Sequence, residues 1–319
     1  MPRRRRGRDL DAILLLDKPL GMSSNRALQR AKALFGAAKA GHTGSLDPLA
    51  TGMLPVCFGQ ATKLCGLLLE ASKAYTFEAQ LGVATETGDA EGAVIGEAPV
   101  PDIGPARLAA VLADFRGPIR QVPPMYSALK HQGRRLYALA RAGESVERAP
   151  REVTIHALEA AGSPDTAGRL RLFVRCSKGT YVRTLAEDVA RALGTLAHLT
   201  MLRRDWVEPF EGLPMYTLER LEAMDASARE ACLQPLARGL RHLPAVSVDD
   251  DAAASLLDGR VVIDPRPPAA REQPGRLCAY GPHDVLLGLV EPTDDGRLAP
   301  RRMFRGVSEL RVTDGPDRA

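Results

Sequence analysis

Cysteine, aromatic side chains and long apolar runs are all scarce in this chain of 319 residues, in which Phe, Trp and Tyr together make up 4%. The five cysteines are an odd number, lie far apart, and include no pair at Cys-x-x-Cys spacing. That distribution argues against both a disulfide framework and a zinc site. We therefore expect reduced thiols that serve as packing residues.

No apolar stretch approaches the ~20 residues that a helix needs to cross a bilayer. The chain opens with MPRRRRGRDLDAILLLDKP, which has the positive charge of a secretory signal, but its apolar run at 13–16 is short and flanked by acids. A signal peptide needs a longer apolar core than this. The sequence therefore predicts a cytoplasmic protein that does not enter a membrane.

The chain also lacks a Gly-x-Gly-x-x-Gly turn after a strand, a regular alternation of strands and helices, and an internal repeat. Period-two alternation predicts strands at 75–83 and 170–176, and helical spacing predicts helices at 24–34 and 105–115. This combination is typical of an α+β fold with a mixed or antiparallel sheet. The 45% apolar content is ample for its core.

Three regions follow from changes in composition along the chain. Residues 1–8 form a basic tail, 9–244 the main domain, and 245–319 a small β-rich domain in which short strand-like segments are separated by Gly, Pro and Asp. Within the main domain, 123–152 is basic, rich in long polar side chains and poor in apolar ones. We expect this insertion to be a mobile arm.

Positive charge, a net +4, is concentrated in blocks. Residues 1–46 carry ten Lys and Arg against three acids, 116–156 carry eight against three, and 171–206 carry seven against three. An ordinary solvated surface would intersperse the two signs. The blocks instead favour a surface that binds a polyanion such as nucleic acid.

A loop at 39–52, KAGHTGSLDPLATG, holds a single acid, Asp47, among turn-forming residues. It lacks the two or three further ligands of a metal site, and no second carboxylate lies near for a glycosidase-type pair. Ser45 and His42 could form a nucleophile and base, but no Gly-x-Ser-x-Gly elbow is present. Spacing alone leaves a structural turn as the first interpretation and a carboxylate that works alone, as nucleophile or base, as the second.

Longer motifs favour the second interpretation, a carboxylate that works alone. GHTGSLDPLATGMLPVCFGQATK resembles the signature of the bacterial tRNA pseudouridine-55 synthases, the TruB family, in which the acid of this motif is the catalytic aspartate. Further segments resemble the family's other motifs in the same order: ILLLDKPLGMSS, KAYTFEAQLGVATETGDAEG, QVPPMYSALKHQGRRLYALAR, CSKGTYVRTLAEDV and LTMLRR. The resemblance is nearly continuous from residue 10 to about 215 and looser beyond. Ser45 stands where the family commonly has Thr, which keeps the hydroxyl.

The resemblance implies a pseudouridine-synthase fold with a mixed, largely antiparallel central sheet and a small C-terminal PUA-like domain that binds RNA. It implies isomerisation of uridine 55 in the T loop of tRNA to pseudouridine, by a monomer that flips out the base and uses neither metal nor other cofactor. The expected partner is tRNA, contacted at its T arm and elbow, with no protein partner. A single carboxylate suffices, because it can attack the ribose, attack the uracil or remove the ribose 2′ proton.

Two kinds of protein remain compatible with the basic surface: this RNA isomerase, or a factor that binds or folds RNA without chemistry. An acid amid phosphates repels the ligand and is of no use to a pure binder, so Asp47 favours the enzyme. The two activities could coexist in one protein that also helps tRNA to fold.

The resemblance also assigns residues. Burying a carboxylate under a nucleobase penalises its charge unless a cation is paired with it, and Arg183 in CSKGTYVR is the expected partner of Asp47. Tyr75 is expected to stack on the flipped base. The remaining assignments are Tyr181 and Leu202 as pocket lining, Lys178 as a phosphate contact, His42 as a contact to the T loop, and Lys18 with Pro19 as a brace for the catalytic loop.

From pattern alone these side chains have plainer interpretations. Tyr75 and Leu202 fit core positions, and a lone histidine such as His42 is more often structural than catalytic. Lys178 lies in a connection from a strand to a helix, where an anion is favoured, yet simple solvation is as good an explanation.

Overall fold

The computed structural model describes residues 7–271 and 275–305. Most of the predicted basic tail, 1–6, lies outside the described residues, as does the end of the predicted C-terminal domain, 306–319.

The first part of the chain, up to residue 121, mixes strands with short helices. Ser23 caps the first helix through its hydroxyl, which accepts from the Arg26 N–H at 3.3 Å, and Pro105 opens the third, where its missing N–H costs nothing. The elements are β1 (Ile13–Lys18), α1 (Ser24–Leu34), β2 (Ala40–His42), β3 (Ala50–Phe58), α2 (Cys65–Glu70), β4 (Lys73–Leu81), β5 (Val83–Thr85), β6 (Val94–Glu97), α3 (Pro105–Asp114) and β7 (Gly117–Gln121), with a 3-10 helix at Gly59–Leu64.

The next part carries the predicted arm and completes the main sheet. Its elements are β8 (Lys130–His131), β9 (Arg134–Arg135), α4 (Leu136–Arg141), β10 (Arg151–Ala160), β11 (Arg169–Cys176), α5 (Val182–Ala192), β12 (Ala197–Val207), α6 (Leu218–Ala223), α7 (Ala226–Ala231) and β13 (Leu233–Gln234), with a 3-10 helix at Leu236–Leu240.

The central sheet runs in the order β13-β1-β3-β12-β4-β11-β10-β7, with β2 paired to β3. Only the pairing of β3 with β12 is parallel; every other described pairing in this sheet is antiparallel. The prediction of an α+β fold with a mixed, largely antiparallel sheet is therefore confirmed. Helices α3 and α5 cover one part of the sheet through a large apolar cluster, and α1 and α6 cover another.

The C-terminal part is β-rich, as predicted. Its five-stranded sheet has the order β14-β16-β17-β18-β15 and an apolar core of its own. Leu286, Leu289 and Phe304 also pack in one cluster with Ile13 and Leu15 of β1, so this sheet shares buried surface with the central one. The elements are β14 (Ala245–Ser247), α8 (Asp250–Leu257), β15 (Val262–Ile263), α9 (Pro268–Arg271), β16 (Leu277–Tyr280), β17 (Leu286–Pro292) and β18 (Arg297–Met303), with a 3-10 helix at Pro282–Asp284.

Candidate active site

The Asp47 loop joins β2 to β3 and is held by hydrogen bonds from the first helix and its approach. The Ser24 hydroxyl accepts from the Leu46 N–H at 2.7 Å and donates to the Leu46 carbonyl at 3.0 Å. The Gly21 N–H donates to the Pro48 carbonyl at 2.8 Å. These bonds fix the backbone on both sides of Asp47, whose side chain remains 45% exposed.

Lys18 lies beneath the same loop and is fully buried. Its ammonium donates to the carbonyls of Pro19 (2.9 Å), Met22 (2.6 Å) and Pro48 (3.4 Å). Burial lowers the pKa of Lys18 to about 8, although the nearby carboxylate of Asp47 opposes the shift. These bonds join the end of β1 to the Asp47 loop, which is compatible with the bracing role expected for Lys18 and Pro19.

Arg183 stands in the first turn of α5 with its side chain 6% exposed. Its guanidinium donates to the carbonyls of Thr87 and Tyr126, each at 2.7 Å, and Nη2 lies 2.9 Å from Oδ2 of Asp47. The buried carboxylate of Asp89 is farther away, at 3.7 Å. Two main-chain carbonyls from separate loops therefore aim this cation at Asp47.

Two cavities meet at this ion pair. The smaller has a volume of about 640 Å³ and the larger about 980 Å³. Asp47 and Arg183 line both. The smaller cavity brings together four of the other predicted residues: Tyr75, Lys178, Tyr181 and Leu202. The larger holds His42 and side chains of the arm: Tyr126, Arg135, Tyr137 and Arg141.

The smaller cavity offers an apolar and aromatic lining. Tyr75 on β4 is 8% exposed and Leu202 on β12 is 7% exposed. Burial raises the pKa of both Tyr75 and Tyr181, so each phenol stays protonated at neutral pH. The backbone of Tyr181 is fixed by Gln121, whose side chain accepts from the Tyr181 N–H at 3.0 Å. Such a lining suits the face of a nucleobase.

Lys178 lines the smaller cavity and His42 lines the larger one. The structure also gives both residues surroundings that the sequence did not reveal. The ammonium of Lys178 is ion-paired with Glu70 at the end of α2, and both residues line the smaller cavity. His42 is half-buried, and its Nδ1 is buried without a hydrogen-bond partner among the described residues. Burial, helped by the charge of Arg204, lowers the pKa of His42 and favours a neutral ring.

Sequence reasoning missed two residues of the site, Lys73 and Arg204, which line the smaller cavity while only 7% and 1% exposed. A signal was present: in a strand, residues two apart share a face, so Lys73 shares a face with Tyr75, and Arg204 with Leu202. Gly52 pairs with Arg204 across the parallel strands at φ +97°. A Cβ at Gly52 would lie 2.2 Å from the Arg204 carbonyl oxygen, so only glycine fits.

Residues 7–271 and 275–305 contain no group of three or more His, Cys, Asp or Glu side chains that could hold a metal ion. Within the same residues, no helix is both long and apolar enough to cross a membrane. All five cysteines are free thiols.

Three family models match consecutive parts of the chain. "TruB family pseudouridylate synthase (N terminal domain)" matches 32–182, "tRNA pseudouridylate synthase B C-terminal domain" matches 183–241, and "Pseudouridine synthase II TruB, C-terminal" matches 244–304. Together they span the central sheet except β1, the loop that carries Asp47 and the C-terminal sheet.

Solved structures of low sequence identity share the fold. A Cbf5-Nop10-Gar1 complex contains a chain that is 24% identical, with a TM-score of 0.67 over 88% of this chain and 78% of that one. An archaeal box H/ACA sRNP Nop10-Cbf5 complex contains one that is 21% identical, with a TM-score of 0.68 over 92% and 86%.

Curated relatives match over almost their whole length. The tRNA pseudouridine synthase B of Chromohalobacter salexigens is 52% identical over 97% of this chain and 99% of its own. The proteins of that name from Xanthomonas axonopodis pv. citri and Nitrosococcus oceani are each 49% identical over 95% of this chain and 97% of theirs. The chain belongs to the TruB family of pseudouridylate synthases.

Proposed function

We propose that this protein isomerises uridine 55 in the T loop of tRNA to pseudouridine, with Asp47 as the catalytic carboxylate. Membership of the family makes it a pseudouridine synthase, and relatives named tRNA pseudouridine synthase B support tRNA as the substrate. The observation that carries the assignment of Asp47 is its ion pair with buried Arg183, at 2.9 Å, where the two cavities meet.

The reaction is an isomerisation in which all atoms are retained. The bond from ribose C1′ to uracil N1 breaks, the base turns, and C1′ bonds to C5; C5 then loses a proton and N1 gains one. Asp47 would attack the ribose, attack the uracil or remove the 2′ proton, and each route uses one carboxylate. The Arg183 guanidinium would offset the negative charge of Asp47 as the base covers it, since an unpaired buried charge is costly.

The two cavities suggest how the RNA is held. The flipped uracil would enter the smaller cavity and stack on Tyr75, with Leu202 and Tyr181 around it. The larger cavity would hold the part of the T loop next to the flipped base, against His42 and the cations of the arm. Lys178 would exchange its partner Glu70 for an RNA phosphate.

The arrangement fits a monomer that works on tRNA in the cytoplasm and contacts its T arm and elbow. The C-terminal sheet would extend the RNA-binding surface as a PUA-like domain. Because flipping the base opens the tRNA elbow, the same binding cycle could help a misfolded tRNA to refold.

Replacement of Asp47 by asparagine tests the assignment. Asp47→Asn keeps the size of the side chain but removes its charge, so pseudouridine formation should fall by several orders of magnitude, at about 1.4 kcal/mol of barrier per tenfold step. The measurement is tritium release from tRNA labelled at carbon 5 of uracil. Binding of tRNA should be unchanged or tighter, because a negative charge has left a surface that faces phosphates.

Asp102→Asn is the matched control, since Asp102 is exposed and lines neither cavity; it should match the parent. A tRNA with cytidine at position 55 should release no tritium from that site. Folded Asp47→Asn protein that reacts within a few-fold of the parent would remove Asp47 from the mechanism. A parent that binds tRNA yet releases no tritium would instead be an RNA-binding or folding factor.

A further inference from the structure

Two buried cations, Lys73 and Arg204, line the smaller cavity. Lys73 is 7% exposed and Arg204 is 1% exposed, and in the part of the chain that the structure describes neither forms an ion pair with an acid. Arg183, the third buried cation of the site, differs because it pairs with Asp47. Buried charges in proteins are usually paired, so the positive charge at this place needs a reason.

Backbone carbonyls hold both side chains in position. Lys73 donates to the carbonyls of Leu69 (3.0 Å) and Ala71 (2.5 Å). Arg204 donates through Nε to the Met53 carbonyl (2.6 Å) and through Nη2 to the Gly44 carbonyl (3.2 Å). Carbonyl dipoles offset a charge only partly, so the cavity wall keeps an excess of positive charge.

Burial, together with the charge of Arg204, lowers the pKa of Lys73 to about 8. Lys73 therefore still carries most of its charge at about pH 7. Other titratable groups that act on it are the thiol of Cys176 and the carboxylate of Glu208, both of which favour the charged form.

The two cations lie next to Tyr75, the residue expected to stack on the base. Lys73 lies two residues before Tyr75 on β4 and so shares its face, while Arg204 is the register partner of Tyr75 on β12. Under the proposed function, on which this inference rests, Tyr75 stacks on the flipped uracil. Both cations then lie beside the place where the uracil ring sits.

The chemistry of the reaction explains a need for positive charge there. When the bond from C1′ to N1 breaks, its electron pair stays on the uracil, and the charge spreads over N1, O2 and O4. The charge disappears once C1′ bonds to C5, C5 loses its proton and N1 takes one up. Fixed cations in a site that excludes water stabilise such a short-lived anion strongly.

We infer that Lys73 and Arg204 form a cationic floor that stabilises the uracil while it is detached from the ribose and negatively charged. The alternative is a purely structural role, in which Arg204 joins the Gly44 and Met53 ends of the Asp47 loop. The two roles make opposite predictions for charge-preserving substitutions and for bases that carry negative charge more easily.

The test compares Arg204→Met with Arg204→Lys on bound tRNA, under single-turnover conditions. The substrates carry uridine or 5-fluorouridine at position 55, because fluorine stabilises the base anion. Uridine gives the carbon-linked isomer; with 5-fluorouridine, C5 has no proton to lose after it bonds to C1′, so the carbon-linked product keeps fluorine on C5 and takes up water at C6. Both products are measured by mass spectrometry after digestion. With uridine, Arg204→Met should be about 100-fold slower than the parent and Arg204→Lys within about tenfold. With 5-fluorouridine, the ratio of the parent rate to the Arg204→Met rate should be about tenfold smaller than with uridine. For both substrates, the tRNA affinity of the variants should differ from that of the parent by less than about 3-fold.

Arg203→Met is the matched control on the same strand. Arg203 lines neither cavity and pairs with Asp17 at 2.8 Å, so its loss should leave the rate within about 2-fold. Lys73→Met provides an independent variant, because Lys73 makes no bond to the Asp47 loop. It should be slow with uridine and partly restored with 5-fluorouridine, and it decides the matter if Arg204→Met does not fold.

Equal defects on the two substrates, or an Arg204→Lys protein as slow as Arg204→Met, would overturn the inference and leave Arg204 as a loop support. A parent enzyme that forms no pseudouridine in tRNA would refute the proposed function itself. If the parent is active but the variants are slowed equally with uridine and with 5-fluorouridine, only the cationic floor would be refuted.

Discussion

The contacts that Arg183 makes depend on the planar, forked shape of its guanidinium group. One side chain reaches the carbonyls of Thr87 and Tyr126 and the carboxylate of Asp47, all within 2.9 Å. Lysine has a single nitrogen on a flexible stem and cannot reproduce that geometry. The structure therefore fixes the direction of the positive charge near Asp47 as well as its presence.

Arg183→Lys should slow pseudouridine formation about 100-fold, because Asp47 loses a fixed partner while the local charge is kept. Single-turnover tritium release measures this, with tRNA binding measured in parallel. Arg191→Lys on the same helix is the control, since the Arg191 side chain is 70% exposed, is ion-paired with Asp188 and lines neither cavity. An Arg183→Lys enzyme within a few-fold of the parent would show that charge alone suffices.

Lys18 should leave a signature in the dependence of stability on pH. Its pKa is about 8 in the folded chain, lowered by burial from 10.5, so between about pH 8 and 10.5 the unfolded chain binds more protons than the folded one. Stability contributed by this residue therefore rises with pH through that window and is flat below it. Urea denaturation of Lys18→Met should show a smaller rise than the parent between these pH values; an identical rise would contradict the shift.

The arm formed by 123–152 lines part of the larger cavity. Its root is attached to the body: the Tyr126 carbonyl accepts from Arg183 and the Tyr126 hydroxyl donates to Glu86 at 2.8 Å. Farther out, Lys130 to Arg135 form a small hairpin of two-residue strands whose side chains are exposed. The contacts at the root thus connect the arm to the residue that pairs with Asp47.

Hydrogen exchange should divide the arm at this root. Amides at 128–148 should exchange rapidly in the free protein and slow by about tenfold or more when tRNA binds, because few buried contacts hold that part before binding. Amides of α5 should exchange slowly in both states and serve as the internal control. Slow exchange at 128–148 in the free protein, unchanged by tRNA, would show that the arm is fixed beforehand.

At the scale of the whole molecule, positive charge is concentrated in three blocks of sequence. All three blocks reach the two cavities: the first contributes the part of the Asp47 loop with His42, the second the arm, and the third Lys178, Arg183 and Arg204. Residues far apart in sequence are therefore brought around the same two cavities. An interface of this kind gains affinity by releasing the counterions of the RNA.

Binding of tRNA should weaken by about tenfold or more between ~50 and ~200 mM salt, because each phosphate contact releases condensed cations. Titrations of the Asp47→Asn protein, which we expect to be inactive, measure affinity without turnover. A neutral osmolyte at matched osmolarity is the control and should leave the affinity unchanged. Affinity that is independent of salt would contradict a footprint built from phosphate contacts.

Local patterns in the sequence determined most elements and the family. Helical spacing predicted the helix at 24–34, and period-two alternation predicted the strand that carries Tyr75; both are confirmed. These signals are local, since helix caps and side-chain alternation depend on residues within about four positions of one another. The long ungapped motifs identified the family for the same reason, because each is a continuous stretch of chain.

The motifs predicted that Asp47 and Arg183 meet, but only the tertiary structure shows how they do so and which other side chains join them. Asp47 and Arg183 are far apart in sequence, and they touch because β3 pairs in parallel with β12 while α5 packs on the same sheet. Lys178 is found paired with Glu70, and Lys73 and Arg204, which look like surface residues by type, are buried beside the smaller cavity. Contacts of this kind depend on the register of non-local strands and on the burial of whole faces, which no short segment of sequence encodes alone.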